Sequence, residues 1–185
     1  GRAEPVLAAL DLGTNNCRLL VARPTNGSFQ VIDAFSRIVR LGERLQATGA
    51  LGGTAMDRTL DALHVCATKL RRRMVTHFRG VATEACRRAL NGDAFLARVT
   101  QETGLELEII APEEEARLAL VGCAPLLDPE IPYALLFDIG GGSTEVIWLE
   151  ANEGRWDIID SISLPCGVVA FAAAVEDTTT SSRSL

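Results

Sequence analysis

Histidine is nearly missing from this chain. His64 and His77 are the only two among 185 residues, too few for a histidine-rich metal site. Cysteine occurs five times (Cys17, Cys66, Cys86, Cys123, Cys166), scattered, odd in number and without a C-x-x-C pair. That pattern fits reduced thiols in a cytoplasmic protein better than a disulfide framework or a zinc site. No apolar stretch approaches the roughly 20 residues of a membrane-spanning helix. The start lacks the basic-then-apolar pattern of a secretory leader. A cytoplasmic protein with no membrane partner is expected. Positive charge is also in deficit: 18 Lys and Arg against 24 Asp and Glu leave a net charge of −6. A duplex-binding protein usually carries a basic surface, so no nucleic-acid partner is expected. One local exception is Lys69-Arg71-Arg72-Arg73. It reads either as an anion pocket or, preferably, as the basic last turn of a helix, which the helix dipole favours.

What is present is ordinary in bulk and unusual in pattern. A hydrophobic fraction of 48% and a charged fraction of 23% are those of a soluble globular chain with a real core. The pattern is a repetition. Ala8-Ala9-Leu10-Asp11-Leu12-Gly13-Thr14-Asn15-Asn16 returns as Leu135-Leu136-Phe137-Asp138-Ile139-Gly140-Gly141-Gly142-Ser143, 127 positions later. Each copy is an apolar run, an aspartate and a glycine-rich turn. A second apolar run follows each, Leu19-Leu20-Val21 and Val146-Ile147-Trp148-Leu149. This reads as strand, tight turn, strand, with the carboxylate at the mouth of the turn. Glycine lets the backbone approach a ligand with its amides aimed at an anion. A nearby aspartate suits a divalent cation travelling with that anion.

Along the chain, Val6–Leu10, Cys17–Ala22 and Phe29–Ala34 are predicted strands, with Pro24-Thr25-Asn26-Gly27 as the second turn and Arg37–Leu41 a further extended piece. Thr54 reads as the N-cap of a helix whose apolar face is Met56, Leu60, Leu63, Ala67 and Leu70. Phe78–Ala82 is a strand leading into a helix start at Thr83–Arg88. Asp93 opens a helix that ends at Gly104, Leu105–Ile110 alternates as a strand, and Pro112 begins a helix over Glu113–Ala124. After the stiff segment Asp128–Pro132 the second hairpin starts. Trp156–Leu164 is a third strand and Gly167–Val175 a helix start, followed by a polar tail over 176–185. The layout is α/β with a mixed sheet flanked by helices. The expected division is a first domain over 1–131 and an incomplete second domain over 132–175. The second copy stops after its opening strands, so an unfinished chain is expected, or one that borrows cover from a homodimer partner.

The two hairpins, Ala82-Thr83-Glu84-Ala85-Cys86-Arg87-Arg88-Ala89-Leu90-Asn91, Pro112-Glu113-Glu114-Glu115-Ala116-Arg117-Leu118 and Ser163-Leu164-Pro165-Cys166-Gly167-Val168-Val169 stand in fixed order. Together they resemble the exopolyphosphatase/guanosine pentaphosphate phosphohydrolase family, from about Pro5 to Phe171. That resemblance implies the actin-like ATPase (ribonuclease H-like) superfold with a truncated second domain. It implies hydrolysis of a terminal phosphoanhydride in inorganic polyphosphate or guanosine pentaphosphate, with guanosine tetraphosphate a further candidate ligand. The first turn departs from the family's D-x-G-S-N-S by carrying Thr14 and Asn16.

The resemblance also implies roles. Glu115 aligns with the family's general base, with Glu114 its main rival. Its place in the first turn of a helix, near the positive end of the dipole, favours the ionised form a base needs. Acidic residues also favour helix starts on their own account. Asp138 and Glu145 match metal positions, with Asp11 the symmetric carboxylate, and hard oxygen donors point to Mg2+ or Mn2+. Gly13, Thr14, Asn15, Gly140, Gly141, Gly142, Ser143 and Thr144 would donate to phosphate, and Arg87 would hold a phosphoryl group. A non-catalytic binder of polyphosphate or guanosine phosphates is the competing reading. An actin-like kinase is a third, but it needs an adenosine site later in the second domain.

Overall fold

The computed structural model describes residues 4–128 and 130–168. The chain divides after Ile109 into two compact units. The first holds a five-stranded sheet in the order β3-β2-β1-β4-β5, built from β1 (Leu7–Leu12), β2 (Asn16–Thr25), β3 (Ser28–Ile38), β4 (His77–Ala82) and β5 (Leu107–Ile109). The first three strands run as an antiparallel meander, whereas β4 and β5 are parallel to β1. The sheet is therefore mixed, as its sequence pattern predicts.

Alternation makes the inner face. Ala8, Leu10 and Leu12 of β1 and Cys17, Leu19 and Val21 of β2 are buried, at period two. Helix α2 (Gly53–Arg72) covers that face with Leu60, Leu63, Ala67 and Leu70, spaced three to four apart. Each such leucine contributes on the order of 2 kcal/mol by leaving water. Helix α4 (Gly92–Thr103) adds Phe95, Leu96 and Val99 to the same core. Two short helices complete the unit, α1 (Leu45–Thr48) and α3 (Glu84–Arg88).

The second unit is a three-stranded antiparallel meander, β6 (Tyr133–Ile139), β7 (Thr144–Asn152) and β8 (Arg155–Leu164). Helix α5 (Pro112–Cys123) seats Ala116 and Leu120 on Ile147 and Leu149. The division thus falls ahead of α5 rather than at 131, because its apolar stripe packs on the second sheet.

Other boundaries shift for local reasons. Helix α2 is capped by Gly52 in extended backbone, so Thr54 sits inside its first turn rather than at the N-cap. Phe29–Ala34 and Arg37–Leu41 are not separate pieces, since β3 runs unbroken to Ile38 with β2 as its partner throughout. Strand β5 shrinks to Leu107–Ile109, the stretch that finds a partner in β4. Most of the segment Gly167–Val175 and all of 176–185 lie outside the described residues. All five cysteines are free. Burial pushes the Cys86 thiol up to about 12, and a hydrogen bond with Cys66, with burial second, pushes Cys17 well above the ordinary thiol range. Neither is poised as a nucleophile.

Candidate functional site

The repetition seen in the sequence is a repetition of register. Asp11 lies opposite Arg18 and Leu12 opposite Cys17. Asp138 lies opposite Glu145 and Ile139 opposite Thr144, the same pairing 127 positions on. The turn closes identically, Gly13 N–H donating to the Asn16 carbonyl and Gly140 N–H to the Ser143 carbonyl, both at 2.9 Å. The third strand keeps step as well, with Cys17 opposite Arg37 and Thr144 opposite Leu164. Even the β-bulge recurs, between Val21 and Ala22 and between Trp148 and Leu149. A bulge re-aims strand ends, so each turn leaves its sheet in the same local frame.

In the first unit the turn is held from behind. The Asn15 carbonyl accepts from the Val39 and Arg40 amides (2.8 and 3.0 Å), and the Thr14 carbonyl from Gly42 (3.0 Å). Gly42 has no room for a side chain, because a Cβ there would strike the Thr14 methyl. Asp11 is half-buried and lies with Leu7 and Ala9 on the face turned away from α2. Strand β4 brings the other element to this edge. It pairs with β1 up to Leu12–Ala82, and the Thr83 amide donates to the Leu12 carbonyl (3.2 Å). Helix α3 therefore starts beside the end of β1 that carries Asp11 and Gly13.

Arg87 on α3 is oriented by Glu84, whose carboxylate accepts from its guanidinium at 3.0 Å and from Arg88 at 3.3 Å. Glu84 is buried, 8% exposed. Arg88 is the more open of the two arginines, with a side chain 46% exposed against 18% for Arg87. Asn91 anchors the stretch that follows: its amide group donates to the Leu51 carbonyl and accepts from the Leu51 amide. Gly92 is required next, since a Cβ there would overlap the Cys86 carbonyl. The segment 82–92 is thus a scaffold that fixes one arginine.

In the second unit Asp138 and Glu145 are direct cross-strand neighbours. Glu145 is buried and accepts from the Ser163 hydroxyl at 2.8 Å; Asp138 is exposed. Both share a face with Leu136, Ile147 and Leu149, the face on which α5 lies. Ser143 is buried and the Thr144 hydroxyl donates to the Cys166 carbonyl at 2.6 Å. Gly167 packs against Gly140 and Gly141, where a Cβ would come within 2.5 Å of their backbone. A glycine after the third strand thus buttresses the turn in both units.

Helix α5 opens with Pro112 at its first turn, followed by Glu113, Glu114 and Glu115. The Glu114 carboxylate is gripped by Arg117 through two hydrogen bonds of 2.6 and 2.9 Å. Glu115 is half-buried, one turn ahead of Ala119, which packs on the second sheet. Within the second unit, then, Glu115's helix and the Asp138–Glu145 pair occupy one face. Among the described residues no three His, Cys, Asp or Glu side chains gather into a metal-binding group. Magnesium keeps several waters and takes only one or two protein carboxylates, so a pair such as Asp138 and Glu145 is chemically suited to it.

The residues that sequence reasoning passed over are Glu84, Ser163, Gly42 and Gly167. Glu84 left a signal in its i, i+3 spacing to Arg87, and Ser163 and Gly167 stand in a segment that carries the family resemblance.

A duplicated strand–turn–strand meander, in a mixed α/β sheet flanked by helices, defines the actin-like ATPase class of fold. Solved structures agree: an Aquifex aeolicus Ppx/GppA family member shares 34% identity at a TM-score of 0.76, covering 92% of this chain and 54% of its own. An exopolyphosphatase from Cytophaga hutchinsonii shares 28% identity at a TM-score of 0.82, covering 91% of this chain and 53% of its own. The family model of the Ppx/GppA phosphatases matches residues 20–181. The chain belongs to the Ppx/GppA phosphatase family. A guanosine-5'-triphosphate,3'-diphosphate pyrophosphatase of Vibrio vulnificus is 37% identical over 163 residues, 88% of this chain and 32% of that protein. Its counterpart in Aliivibrio fischeri matches equally. The chain thus spans about a third of the length of these relatives.

Proposed function

We propose that the chain supplies the phosphate-handling machinery of a phosphoanhydride hydrolase, acting on guanosine pentaphosphate or inorganic polyphosphate. The observation that carries this reading is the repeated register. A glycine turn with an aspartate at its mouth is what a protein needs to hold phosphate, and each unit carries one at the same step. The sequence relatives named for guanosine pentaphosphate chemistry and the structural neighbour named as an exopolyphosphatase support it.

The chemistry asks for an oriented water, a proton acceptor and positive charge around the phosphoryl oxygens. Glu115 is the proton acceptor. Its rival Glu114 engages Arg117 through two hydrogen bonds, which fix where its carboxylate points. Arg87, aimed by Glu84, and the donors of Thr14, Asn15, Gly141, Gly142 and Ser143 hold the phosphoryl oxygens. The Gly13 and Gly140 amides instead close the turns, and the Thr144 hydroxyl is bound to the Cys166 carbonyl. Asp138 and Glu145 are the residues that would hold Mg2+ in the second unit, and Asp11 is the symmetric carboxylate of the first. When bound, that ion offsets phosphate charge.

The test is phosphate release from guanosine pentaphosphate and from long-chain polyphosphate with magnesium, by this chain and its Glu115→Gln variant. The expected result is release by the wild type and a loss of 100-fold or more in the variant, within the range of a removed general base, about 10²–10⁴. Equal rates would sink the role of Glu115. Tight binding of either compound by a folded wild type, with no turnover, would replace the hydrolase by a binding module.

A further inference from the structure

On the first unit, away from its glycine turn, a cavity of about 630 Å³ is lined by Asp33, His64, Val65, Thr68, Lys69, Arg72 and Arg73. It lies between the last turns of α2 and strand β3. Asp33 stands opposite Val21, and Val21 opposite Ala8. Gly13, just past the end of β1, is five residues on from Ala8, or about 16 Å at the rise of a strand. This is a different place from the glycine turn, and the proposed hydrolytic chemistry uses none of its residues.

The charge there is concentrated and arranged. Asp33, half-buried, accepts from the Lys69 ammonium at 2.6 Å and the Arg73 guanidinium at 2.9 Å. One carboxylate thus fixes two cations in place. Arg72 has no carboxylate partner among the described residues, and Arg71 beside it donates to the Thr68 hydroxyl at 3.2 Å. The helix C-terminus offsets about half a charge. Lys69, Arg72 and Arg73 against Asp33 therefore leave a clear positive excess, in a chain whose net charge is −6. The cations line one wall, the last turns of α2, and Asp33 on β3 stands on the other, around a cavity large enough for a ligand of nucleotide size. Guanidinium groups match phosphate oxygens with paired donors.

We infer that this cavity is an accessory binding site for an oligophosphate anion, either a chain of inorganic phosphates or the phosphate arm of a nucleotide. The inference stands whether or not the chain hydrolyses anything.

The test is calorimetric titration of the whole chain with sodium tripolyphosphate, and separately with guanosine triphosphate, at 50 mM and 200 mM salt. Three variants accompany the wild type: Arg72→Glu, Arg87→Ala and the pair combined. Arg72 is exposed, so its change leaves the core intact; Arg72→Gln serves if the charge reversal unfolds the helix end. The expected result is tripolyphosphate binding that survives Arg87→Ala, weakens at least tenfold with Arg72→Glu in that background, and fades at the higher salt. If guanosine triphosphate follows the same pattern, the site takes the phosphate arm of a nucleotide. If only tripolyphosphate does, it takes inorganic chains. Binding that Arg87→Ala abolishes alone, or that Arg72→Glu and Arg72→Gln leave unchanged, overturns the site.

Discussion

Asp33 illustrates how a single carboxylate sets the behaviour of a helix end. Hydrogen bonds from Lys69 first, and from Arg73 second, hold its carboxyl down at about 2. Its folded value lies below the unfolded one of about 3.9. The stabilisation is therefore complete above pH 4 and disappears as the pH falls toward 2. Both cations are partly solvated, so the contribution is on the order of 1–2 kcal/mol rather than the full value of the shift. Asp33→Asn should lower stability by about that much at pH 7, in urea titrations. The gap between variant and wild type should close between pH 4 and pH 2. A gap that persists at pH 2 would mean that the loss is one of shape and not of charge. The basic run Lys69–Arg73 was visible in the sequence, but Asp33 was not. It is 36 residues from Lys69, and only the pairing of β3 with β2 brings it to the helix.

At the scale of elements, the hairpin of β7 and β8 carries a local conflict. Strands β7 and β8 are joined by Glu153-Gly154, with Asn152 opposite Arg155. Both turn residues have positive φ, 49° and 78°, which suits the right-handed twist of the flanking strands. Glycine accepts this freely, whereas glutamate does not and gains nothing at an exposed turn. Glu153→Asn should therefore raise stability by about 0.5–1 kcal/mol, seen as a higher urea midpoint at constant slope. An unchanged or lowered midpoint would show that the turn is not under strain. Elements of this kind were largely legible in the sequence, because alternation marks β1, β2, β6 and β7 and a three-to-four spacing marks α2. What escaped was set by pairing at a distance. The length of β3 depends on its partner β2, and the grouping of α5 depends on Ala116 and Leu120 meeting Ile147 and Leu149. For the candidate site the glycine turns and their aspartates stood out. The Glu84 clamp on Arg87, the Ser163 bond to Glu145 and the buttress glycines 42 and 167 did not, since each is defined by what it touches.

For the molecule as a whole, the repetition has a consequence for its surface. Shifted by 127 positions, Ala8, Leu10, Leu12 and Val21 become Leu135, Phe137, Ile139 and Trp148. In the first unit α2 and α4 cover that face, and Leu10 is 1% exposed, Leu12 and Val21 0%. In the second unit α5 takes the opposite face, and Phe137 is 57%, Ile139 63% and Trp148 48% exposed. An apolar sheet face of this extent drives association or accepts a covering element. The bare chain should therefore bind an apolar-surface dye and self-associate as its concentration rises. Phe137→Ser combined with Trp148→Thr should at least halve the dye fluorescence and shift sedimentation toward monomer. The melting temperature should move little, because neither side chain packs in the core. Undiminished dye binding in a folded double variant would place the sticky surface elsewhere. A collapse in melting temperature would instead show the two rings to be buried, and with that the residue-by-residue parallel between the two sheets would extend to their cover as well as to their register.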